Sequence, residues 1–513
     1  MKKNILMLAA GLLLTAQIQA VTPEQVCGRF DGDLNIGGDF YPSKSVYLLP
    51  GVTGGTLTFV LPDFKYGNGN LGNIVLPNIA MDDTGKLTLE NATLYLDSIA
   101  ERATITVING LEDEGVVYNS VVTATEAQVI LSIAAPSLPE PIFVLFVGQA
   151  ATAHNYALTN GGFEGEWTNA EPQGWHSFYS ATGLLVDFIK NDYQFTQSSQ
   201  VRPGTKGSHS ALLSSTMALG VKANGNCTNG QINAGSSIAD DATGNYNFSD
   251  PANTGFCTPF NGHPDSIVFW AKYQPADRDA SNPVNLARMN TVITTDARYQ
   301  DPEVGDAYAD IKIGTATVNY AATQSMGWQR IAVPFEYVKA NSSKEPAYIL
   351  TTFSTNYTPG GGSSYTTGST FNKKNVLDSV YLDDVQLVYN HGLNSLTIDG
   401  QAVSFAQGVA KVDGDYCDDC AKFAARADGY AAQSFLAFDE QTHYLYVYVI
   451  ADSYATTGEY SLYRVQFADS DVPEGVQTTT ESGGPQWTKC IRQGVICIIA
   501  PDGTAYTVQG TRL

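Results

Sequence analysis

The sequence predicts an all-β protein composed of several β-sandwiches or barrels in series. Apolar and polar residues alternate with a period of two in segments such as KLTLENATLYLD, ADIKIGTATVNY and HYLYVYVI, and this alternation is typical of strands with one buried face. Segments with helical periodicity are scarce. The 48 glycines and 22 prolines are sufficient for the many turns that short strands require.

The segment HYLYVYVI shows the alternation most clearly. Tyr444, Tyr446 and Tyr448 share one face of the predicted strand, and the aliphatic residues between them share the other.

The length of 513 residues corresponds to roughly three domains of about 150 residues each. Composition changes near residues 150–156, near Asn390, and over 471–486, where DVPEGVQTTTESGGPQ is typical of a flexible tether. We expect a signal peptide, three β domains, a linker and a terminal β-hairpin, over residues 1–20, 21–150, 156–390, 391–470, 471–487 and 488–513. A lone hairpin is only marginally stable, so we expect this one to dock on another part of the protein.

The chain opens with a pattern typical of a secretory signal. Lys2 and Lys3 precede an apolar run in MKKNILMLAAGLLLTAQIQA, and the small residue Ala20 marks the expected cleavage site. No later stretch is long and apolar enough for a transmembrane helix. We therefore expect an exported protein in the periplasm, on the outer surface or secreted, with envelope association left open.

The charge balance narrows the choice of partner. Acidic residues number 51 against 28 basic ones, and the net charge is −23. Nucleic acids and anionic membranes select basic surfaces, so both are disfavoured as partners. Neutral ligands such as poly- and oligosaccharides are unaffected by this charge.

Seven cysteines in an exported chain can pair, although the odd number leaves at least one without an intramolecular partner. Cys227 and Cys257 bracket a loop-like insertion, and we expect a disulfide between them. Cys417 and Cys420 form YCDDC with no second pair at zinc spacing. A local disulfide or free thiols explain this pair better than metal or redox chemistry.

Several catalytic motifs are absent or lack their structural context. GNGNLG, at residues 67–72, is followed by NIVLPNIAMDD rather than by a helix, which excludes a dinucleotide-binding loop. The sequence contains neither G-x-S-x-G nor H-E-x-x-H, and its six histidines are scattered. Glycoside hydrolysis needs two carboxylates about 5 to 9 Å apart, and with 51 acidic residues no pair stands out.

Two distant segments predict the closure of a jelly-roll sandwich. TNGGFEGEW, at 159–167, combines a turn, a carboxylate and two aromatic residues that we expect to pack inward. In VYLDDVQLVYN, at 380–390, the alternation of apolar residues slips at Asp383-Asp384, which predicts a β-bulge. If these segments lie side by side, Glu164 meets the aspartates and supplies oxygens of the kind that Ca²⁺ prefers.

These two segments resemble the opening and closing strands of jelly-roll carbohydrate-binding modules. PGTKGSHSALL, at 203–213, and MGWQRIAVPFEY, at 326–337, resemble intervening strands of those modules. With DSIVFWAKYQP, residues 156–390 more closely resemble the carbohydrate metabolism domain of exported proteins from Gram-negative, glycan-degrading gut bacteria.

The resemblance to binding modules implies a structural Ca²⁺ that fastens the ends of the domain. It would be held by Glu164, by Asp384 or Asp383, and by backbone carbonyls near Gly161 and Gly207. The alternative is that Glu164 and Asp384 only satisfy turn backbone groups.

The flanking segments also resemble known domains. Residues 27–148 are similar to calycin-like, lipocalin-related β-barrels, and we expect an interior packed with side chains rather than a bound ligand. Residues 393–468 resemble small Ig-like accessory sandwiches. The final segment, 488–513, is similar to C-terminal sorting or anchoring signals.

Non-catalytic glycan binding is the function that these features favour. Sugar sites combine aromatic platforms with amide and carboxylate groups, and the candidate platforms in predicted loops are Tyr246, Phe248, Phe256, Phe260, Tyr357 and Tyr365. We expect Trp167, Trp175, Trp270 and Trp328 in the core instead. Two alternatives remain, a glycoside hydrolase and a structural surface protein or adhesin.

Overall fold

The computed structural model describes residues 20–66, 69–96, 101–113, 115–151, 155–168, 171–191, 193–218, 221–276, 286–359, 378–419 and 421–471, and the strand residues 488–492, 495–499 and 505–507. The predicted signal peptide lies outside them, apart from Ala20. The protein is nearly all β, as predicted. Contacts divide it into two compact units, Met1–Ser470 and Asp471–Leu513. None of the helices in the described ranges has the length and hydrophobicity to cross a bilayer.

The first group of strands forms a half-barrel. Its elements are α1 (Pro23–Val26), β1 (Gly28–Ile36), β2 (Asp39–Pro50), β3 (Thr56–Tyr66), β4 (Gly69–Met81), β5 (Leu87–Thr88), β6 (Ala92–Leu96), β7 (Glu101–Val107), β8 (Asn109–Asp113), β9 (Val116–Asn119), β10 (Val121–Val122), β11 (Glu126–Ala134) and β12 (Ile142–Ala150). They form a ten-stranded sheet in the order β5-β4-β3-β2-β1-β12-β11-β7-β6, with β10 on β11 and with β8-β9 as a separate hairpin.

The interior of the half-barrel is filled by its own side chains. Phe30, Phe59, Phe64 and Phe146 are each no more than 2% exposed and lie among buried leucines, isoleucines and valines. Burial of such a side chain contributes about 1.5–3 kcal/mol. This agrees with the expectation of a packed interior.

The second group of strands forms a sandwich. Its elements are β13 (Trp167–Thr168), β14 (Glu171–Pro172), α2 (Val186–Ile189), β15 (Phe195–Ser198), β16 (Ser210–Ser214), β17 (Thr216–Ala218), β18 (Val221–Ala223), β19 (Asn226–Thr228), β20 (Gln231–Ala234), β21 (Asn245–Ser249), β22 (Ser266–Gln274), β23 (Leu286–Thr294), β24 (Tyr299–Asp301), β25 (Lys312–Ala321), β26 (Gln329–Pro334), β27 (Glu336–Tyr337), β28 (Tyr348–Ser354) and β29 (Ser379–Val388), with 3₁₀ turns at Thr254–Phe256 and Lys339–Asn341.

Two five-stranded sheets enclose the core of this sandwich. The back sheet has the order β15-β16-β29-β22-β26, and the front sheet has the order β19-β28-β23-β25-β27. Their side chains form one buried cluster, in which the rings of Phe269 and Phe353 lie 5.1 Å apart. A three-stranded side sheet, β20-β21-β24, lies beside them, and the pairs β13-β14 and β17-β18 complete the domain.

The predicted bulge at Asp383-Asp384 is confirmed. The register between β22 and β29 shifts between Val268 and Trp270, and Asp384 has a φ of 46°. The amide of Val385 donates to the carbonyl of Gly161 at 2.8 Å. The opening turn therefore lies beside the closing strand, as the two motifs predicted.

The aromatic residues divide differently from the prediction. Phe163 and Trp175 are fully buried, with rings 5.4 Å apart. The prediction that Trp270 and Trp328 lie in the core was wrong, because both are partly exposed. Trp270 alternates along β22 with the buried Phe269, so it points away from the core.

The predicted Cys227–Cys257 disulfide is also wrong, because both cysteines are free. Strand β19 directs Cys227 into the sandwich core, opposite Phe353. Cys257 follows the 3₁₀ turn, where burial, followed by the charges of Asp250 and Asp296, raises the pKa of its thiol to about 11. Cys417 is disulfide-bonded, and Cys420 lies outside the described residues.

The third group of strands is a small sandwich. Its elements are β30 (Leu393–Ile398), β31 (Gln401–Ala402), β32 (Val409–Lys411), β33 (Phe423–Ala427), β34 (Gln433–Asp439), β35 (Tyr444–Ile450), α3 (Tyr454–Thr457) and β36 (Tyr460–Gln466). They form the sheets β31-β30-β33 and β32-β36-β35-β34, and β32 pairs with β36 in parallel.

Strand β35 is buried on both faces, with the alternation that the sequence predicted. Its aliphatic residues lie in the core of the third sandwich. Its tyrosines pack on the outer face of the half-barrel, where Tyr47 and Val60 belong to the same buried cluster. The hydroxyl of Tyr448 donates to the carbonyl of Pro50 at 2.9 Å, and that of Tyr454 donates to the carbonyl of Leu48 at 3.0 Å. The half-barrel and the third sandwich therefore share a core.

The second unit was predicted to be a two-stranded hairpin but contains a further strand. It consists of β37 (Thr488–Arg492), β38 (Val495–Ile499) and β39 (Ala505–Thr507), which form an antiparallel sheet. Pairing with β39 gives hydrogen-bond partners to backbone groups of β38 that a lone hairpin would leave on an open edge.

We expect Tyr448→Ala to lower the free energy of unfolding by about 3–5 kcal/mol, because it leaves a cavity in the shared core. Urea denaturation followed by circular dichroism measures the change. Phe40→Ala, at a ring that is 49% exposed on the half-barrel, serves as the control and should change little. An equal effect of the two substitutions would contradict the shared core.

Candidate functional site

A cleft of about 390 Å³ lies where the side sheet meets the front sheet of the second sandwich. Strands β20 and β21 supply one side, and β23 and β28 supply the floor. The volume falls within the range of about 300–1,000 Å³ that is usual for small-molecule sites. The cleft is therefore large enough for one or a few sugar rings.

A buried ion pair lies in the floor of the cleft. Arg288 on β23 donates to both carboxylate oxygens of Asp301, at 2.8 and 2.9 Å. Asp301 is 3% exposed. Burial by itself lowers the pKa of Arg288, but the hydrogen bonds and charge of Asp301 outweigh it and raise the pKa above its usual value. The bidentate geometry holds both groups charged and rigid.

Three asparagines extend this polar floor. Asn247 donates its side-chain amide to the backbone carbonyl of Asp301 at 3.5 Å, and Asn226 donates to Oδ1 of Asn247 at 3.0 Å. Asn224 donates to the backbone carbonyls of Asn356 and Thr358, at 3.0 and 2.8 Å. The Oδ1 atoms of Asn224 and Asn226 are buried and accept no hydrogen bond within the described structure.

Apolar and aromatic side chains form the remaining walls. Phe178, Leu185 and Ile189 line the cleft near α2, and Tyr246 and Tyr357 line it near the polar floor. Tyr357 is 38% exposed. The cleft therefore combines apolar surface with a few fixed polar groups, as ligand sites usually do.

Glu171 fixes the turn that carries Phe178. Its Oε1 accepts hydrogen bonds from the amide of Ser177 at 2.6 Å and from that of Ser180 at 3.2 Å. Burial by itself raises the pKa of Glu171, but the hydrogen bonds from His176 and Ser177 outweigh it and lower the pKa below its usual value of 4.5. The carboxylate is therefore the stable form in the folded protein.

The predicted glycan-binding aromatics reach different places. Tyr246 and Tyr357 line the cleft. Phe248 packs on Tyr246, with ring centroids 5.6 Å apart, and Phe256 packs on His176, with centroids 4.4 Å apart. Phe260 is fully buried in the sandwich core, so its interpretation as a binding platform was wrong. Tyr365 lies outside the described residues.

The ion pair and the asparagines were not identified from the sequence. They come from four separated segments, so no local motif contains them. One signal was present, because NGNCTNGQINAG, at 224–235, places asparagines within and beside strands, where this residue is disfavoured. Such asparagines indicate either buried backbone partners or a ligand.

The predicted calcium ligands do converge, but most of their oxygens are engaged by the protein itself. Glu164 accepts hydrogen bonds from the amides of Ser208 and His209, at 2.9 and 2.8 Å. A Cβ on Gly207 would lie 2.3 Å from Oε1 of Glu164, so a larger residue there would displace this carboxylate. The Gly161 carbonyl accepts the hydrogen bond from the backbone amide of Val385 on β29.

A guanidinium group lies where a cation was predicted. Arg202 contacts Asp384 at 2.5 Å, and its backbone amide donates to Asp383 at 3.0 Å. The other oxygen of Asp383 is buried without a partner in the described structure, and burial raises the pKa of this residue to about 6. No cluster of three or more ligating side chains is found within the described ranges.

No family model matches the chain, and no curated protein matches it. A protein described as an outer membrane protein from Bacteroides fragilis NCTC 9343 is 14% identical and has a TM-score of 0.18; the match covers 25% of this chain and 52% of that one. An arabinose-bound α-L-arabinofuranosidase is 10% identical and has a TM-score of 0.22, with 47% and 27% covered.

A structure of carbohydrate-binding modules from the β-sandwich superfamily is 9% identical and has a TM-score of 0.21, with 72% of this chain and 100% of the other covered. The chain thus spans about half the length of the outer membrane protein and about a quarter of the arabinofuranosidase. At these scores the similarities carry no argument about activity.

Calcium binding at Glu164 stays a prediction, and the contacts of Arg202 indicate how to test it. We expect Arg202→Met to lower the free energy of unfolding by about 1–3 kcal/mol, because the two aspartates lose their cationic partner. Arg330→Met, at an exposed position on the sheet that carries the two aspartates, is the control. If the predicted ion binds, the wild type should melt at a higher temperature with excess calcium than after chelation. Equal melting temperatures under the two conditions would contradict the calcium prediction.

We expect Glu171→Gln to destabilise the protein at pH 7 by about 1–3 kcal/mol, because the Ser177–Ser180 turn loses a charged acceptor. Since the folded-state pKa is lowered, the carboxylate stabilises above its unfolded value of 4.5, and this stability is lost as the pH falls below that value. The difference between wild type and variant should therefore shrink in urea unfolding at pH 3.5. The exposed Glu166→Gln is the control, and a difference independent of pH would contradict the assignment.

Proposed function

We propose that the protein is an exported, non-catalytic carbohydrate-binding protein that holds a poly- or oligosaccharide in the cleft of its second sandwich, in polysaccharide uptake or degradation. The observation that carries the proposal is the floor of the cleft, where a buried ion pair and fixed asparagines face aromatic walls.

Sugars present two kinds of surface, and the cleft offers a partner for each. Their C–H faces pack on aromatic rings, and Tyr246 and Tyr357 supply such rings. Their hydroxyls need hydrogen-bonding groups, which Arg288, Asp301 and the asparagines supply. Because these polar groups are already held by the protein, little ordering is required on binding.

The acidic residues of the cleft favour binding over hydrolysis. Among the described lining residues, Asp240 and Asp301 are the carboxylates. Both oxygens of Asp301 are held by Arg288. A glycosidase needs one carboxyl group as an acid and a second as a base or nucleophile, and a carboxylate held in this way is poorly suited to either role.

The site of action is also part of the proposal. The signal-like N-terminus supports export to the periplasm, the outer surface or the medium. The net charge of −23 is compatible with neutral glycans as partners.

A glycan array probed with residues 21–513 tests the proposal. We expect binding to a defined glycan class, and Tyr357→Ala should weaken it about tenfold or more because a stacking platform is removed. Phe40→Ala, outside the second sandwich, should bind as the wild type does. A blank array with folded protein would contradict glycan binding. Release of reducing sugar from the bound glycan would instead identify a hydrolase.

A further inference from the structure

We infer that the back sheet of the second sandwich carries a second binding surface on its outer face, for sugar rings that bear an anionic group. This cationic face consists of Trp270, Lys272, Trp328, Arg330 and Tyr381. The cleft lies at the front sheet, so the inference does not depend on what the cleft binds.

The alternation of the strands points these side chains away from the core. On β22, Trp270 and Lys272 are partly exposed and alternate with fully buried residues of the sandwich core. On β29, Tyr381 lies between two core residues and is 9% exposed. On β26, Arg330 is exposed, whereas Ile331 packs against the core. The face therefore presents tryptophan rings and cations above a mostly covered tyrosine.

The strand register makes these side chains neighbours. Trp270 lies opposite Arg330 on β26, and Lys272 lies opposite Tyr381 on β29. Lys272 and Arg330 are therefore diagonal neighbours on adjacent strands, and residues in this relationship lie about 7–8 Å apart. Both cations are thus close enough to contact one short oligosaccharide.

The protein itself holds the rings of this face in place. The ammonium group of Lys272 lies 5.0 Å from the ring centroid of Tyr381. The ring of Trp328 packs on the same tyrosine, with the centroids 6.3 Å apart. The guanidinium group of Arg202 lies 5.1 Å from the ring centroid of Trp270. Because these groups are already ordered, binding requires little further ordering of side chains.

The face carries positive charge that the described residues do not neutralise. Lys272 donates a hydrogen bond to a neutral glutamine oxygen, at 2.8 Å, and neither Lys272 nor Arg330 forms an ion pair with a described carboxylate. The neighbouring carboxyl groups of Asp383 and Asp384 both contact Arg202 instead. In a protein with a net charge of −23, two cations without acidic partners beside tryptophan rings form a local exception.

An anionic sugar ring offers a partner for both parts of the face. Its C–H surface packs on a tryptophan ring, as that of any sugar does. Its carboxylate or sulfate group accepts charge-assisted hydrogen bonds from the guanidinium fork of Arg330 and from the ammonium group of Lys272. A neutral ring gains only the first of these contacts, so the face favours anionic glycans.

Single-stranded nucleic acids also combine flat rings with negative charge. A typical nucleic-acid-binding protein neutralises about 6–10 phosphates, whereas Lys272 and Arg330 are the cations of this face that lack a described acidic partner. The net charge of −23 further opposes a polymer that needs so many contacts. An anionic glycan is therefore the better match.

Affinity electrophoresis of residues 21–513 tests the cationic face. Polygalacturonate, alginate and hyaluronate supply carboxylates, dextran sulfate supplies sulfates, and the carboxyl-reduced form of each uronate polymer is its neutral counterpart. We expect at least one anionic probe to bind, and a carboxylate probe to bind about tenfold or more tightly than its reduced form. Either source of negative charge supports the inference.

Substitutions locate the binding surface. Lys272→Met and Arg330→Met, which keep an apolar stem, and Trp328→Ala, which removes a ring, should each weaken binding about tenfold. Lys411→Met, at an exposed position on the third sandwich, removes the same charge elsewhere and should bind as the wild type does. Thermal unfolding of every variant confirms that the fold is intact.

The outcomes separate this surface from the cleft. The inference is overturned if no anionic probe binds, if the reduced polymer binds equally well, or if the Lys272 and Arg330 variants bind as the wild type does. Binding that is lost in Tyr357→Ala but kept in those variants would assign the ligand to the cleft, so that carbohydrate binding stands and this inference fails. Tighter binding of oligo-dT, lost in the same variants, would identify a nucleic-acid surface instead.

Discussion

The need to bury both faces of strand β35 is the constraint on which the arrangement of the first 470 residues depends. Its aliphatic face completes the third sandwich, and its tyrosine face would be a large apolar patch if it were exposed. The half-barrel covers that face, and backbone carbonyls of its strand β2 accept hydrogen bonds from the hydroxyls of Tyr448 and Tyr454. The third sandwich also contacts the second. The ring of its Tyr430 stacks on that of Tyr337 in the second sandwich, with the ring centroids 3.8 Å apart.

Much of the fold could be predicted because it follows from local alternation. A period of two identifies strands, and a slip in that period identifies a bulge, so the Asp383-Asp384 irregularity was visible in the sequence. The failures have a different origin. The direction of the Trp270 and Cys227 side chains depends on which alternate residues of their strands face the core. A hydrophobic residue can occupy either face of a strand, so its residue type does not identify that direction. The Cys420 partner of the C-x-x-C motif and Tyr365 remain untested, since both lie outside the described residues.

The candidate site could be predicted only in part, since its groups become neighbours through tertiary structure. Tyr246 and Tyr357 were found because both were predicted to be aromatic residues in loops, although Tyr246 lies on strand β21. Arg288 and Asp301 were not, because a charged residue on a strand is ordinarily assigned to the solvent face. Their pairing is visible only when the side sheet is placed against the front sheet. The buried asparagine oxygens are a property of the whole hydrogen-bond chain and of no single residue.

The shared core beneath β35 has a mechanical consequence. A polysaccharide held in the cleft would exert a pull on the second sandwich, and the stacked tyrosines and the Asp452 contact with the amide of His263, at 2.7 Å, join that sandwich to the third. The third sandwich in turn shares its tyrosine face with the half-barrel. Tension would therefore be distributed over packed side chains rather than concentrated in a flexible hinge. Under load, the half-barrel and the two sandwiches would therefore move as one stiff body rather than as domains joined by flexible hinges.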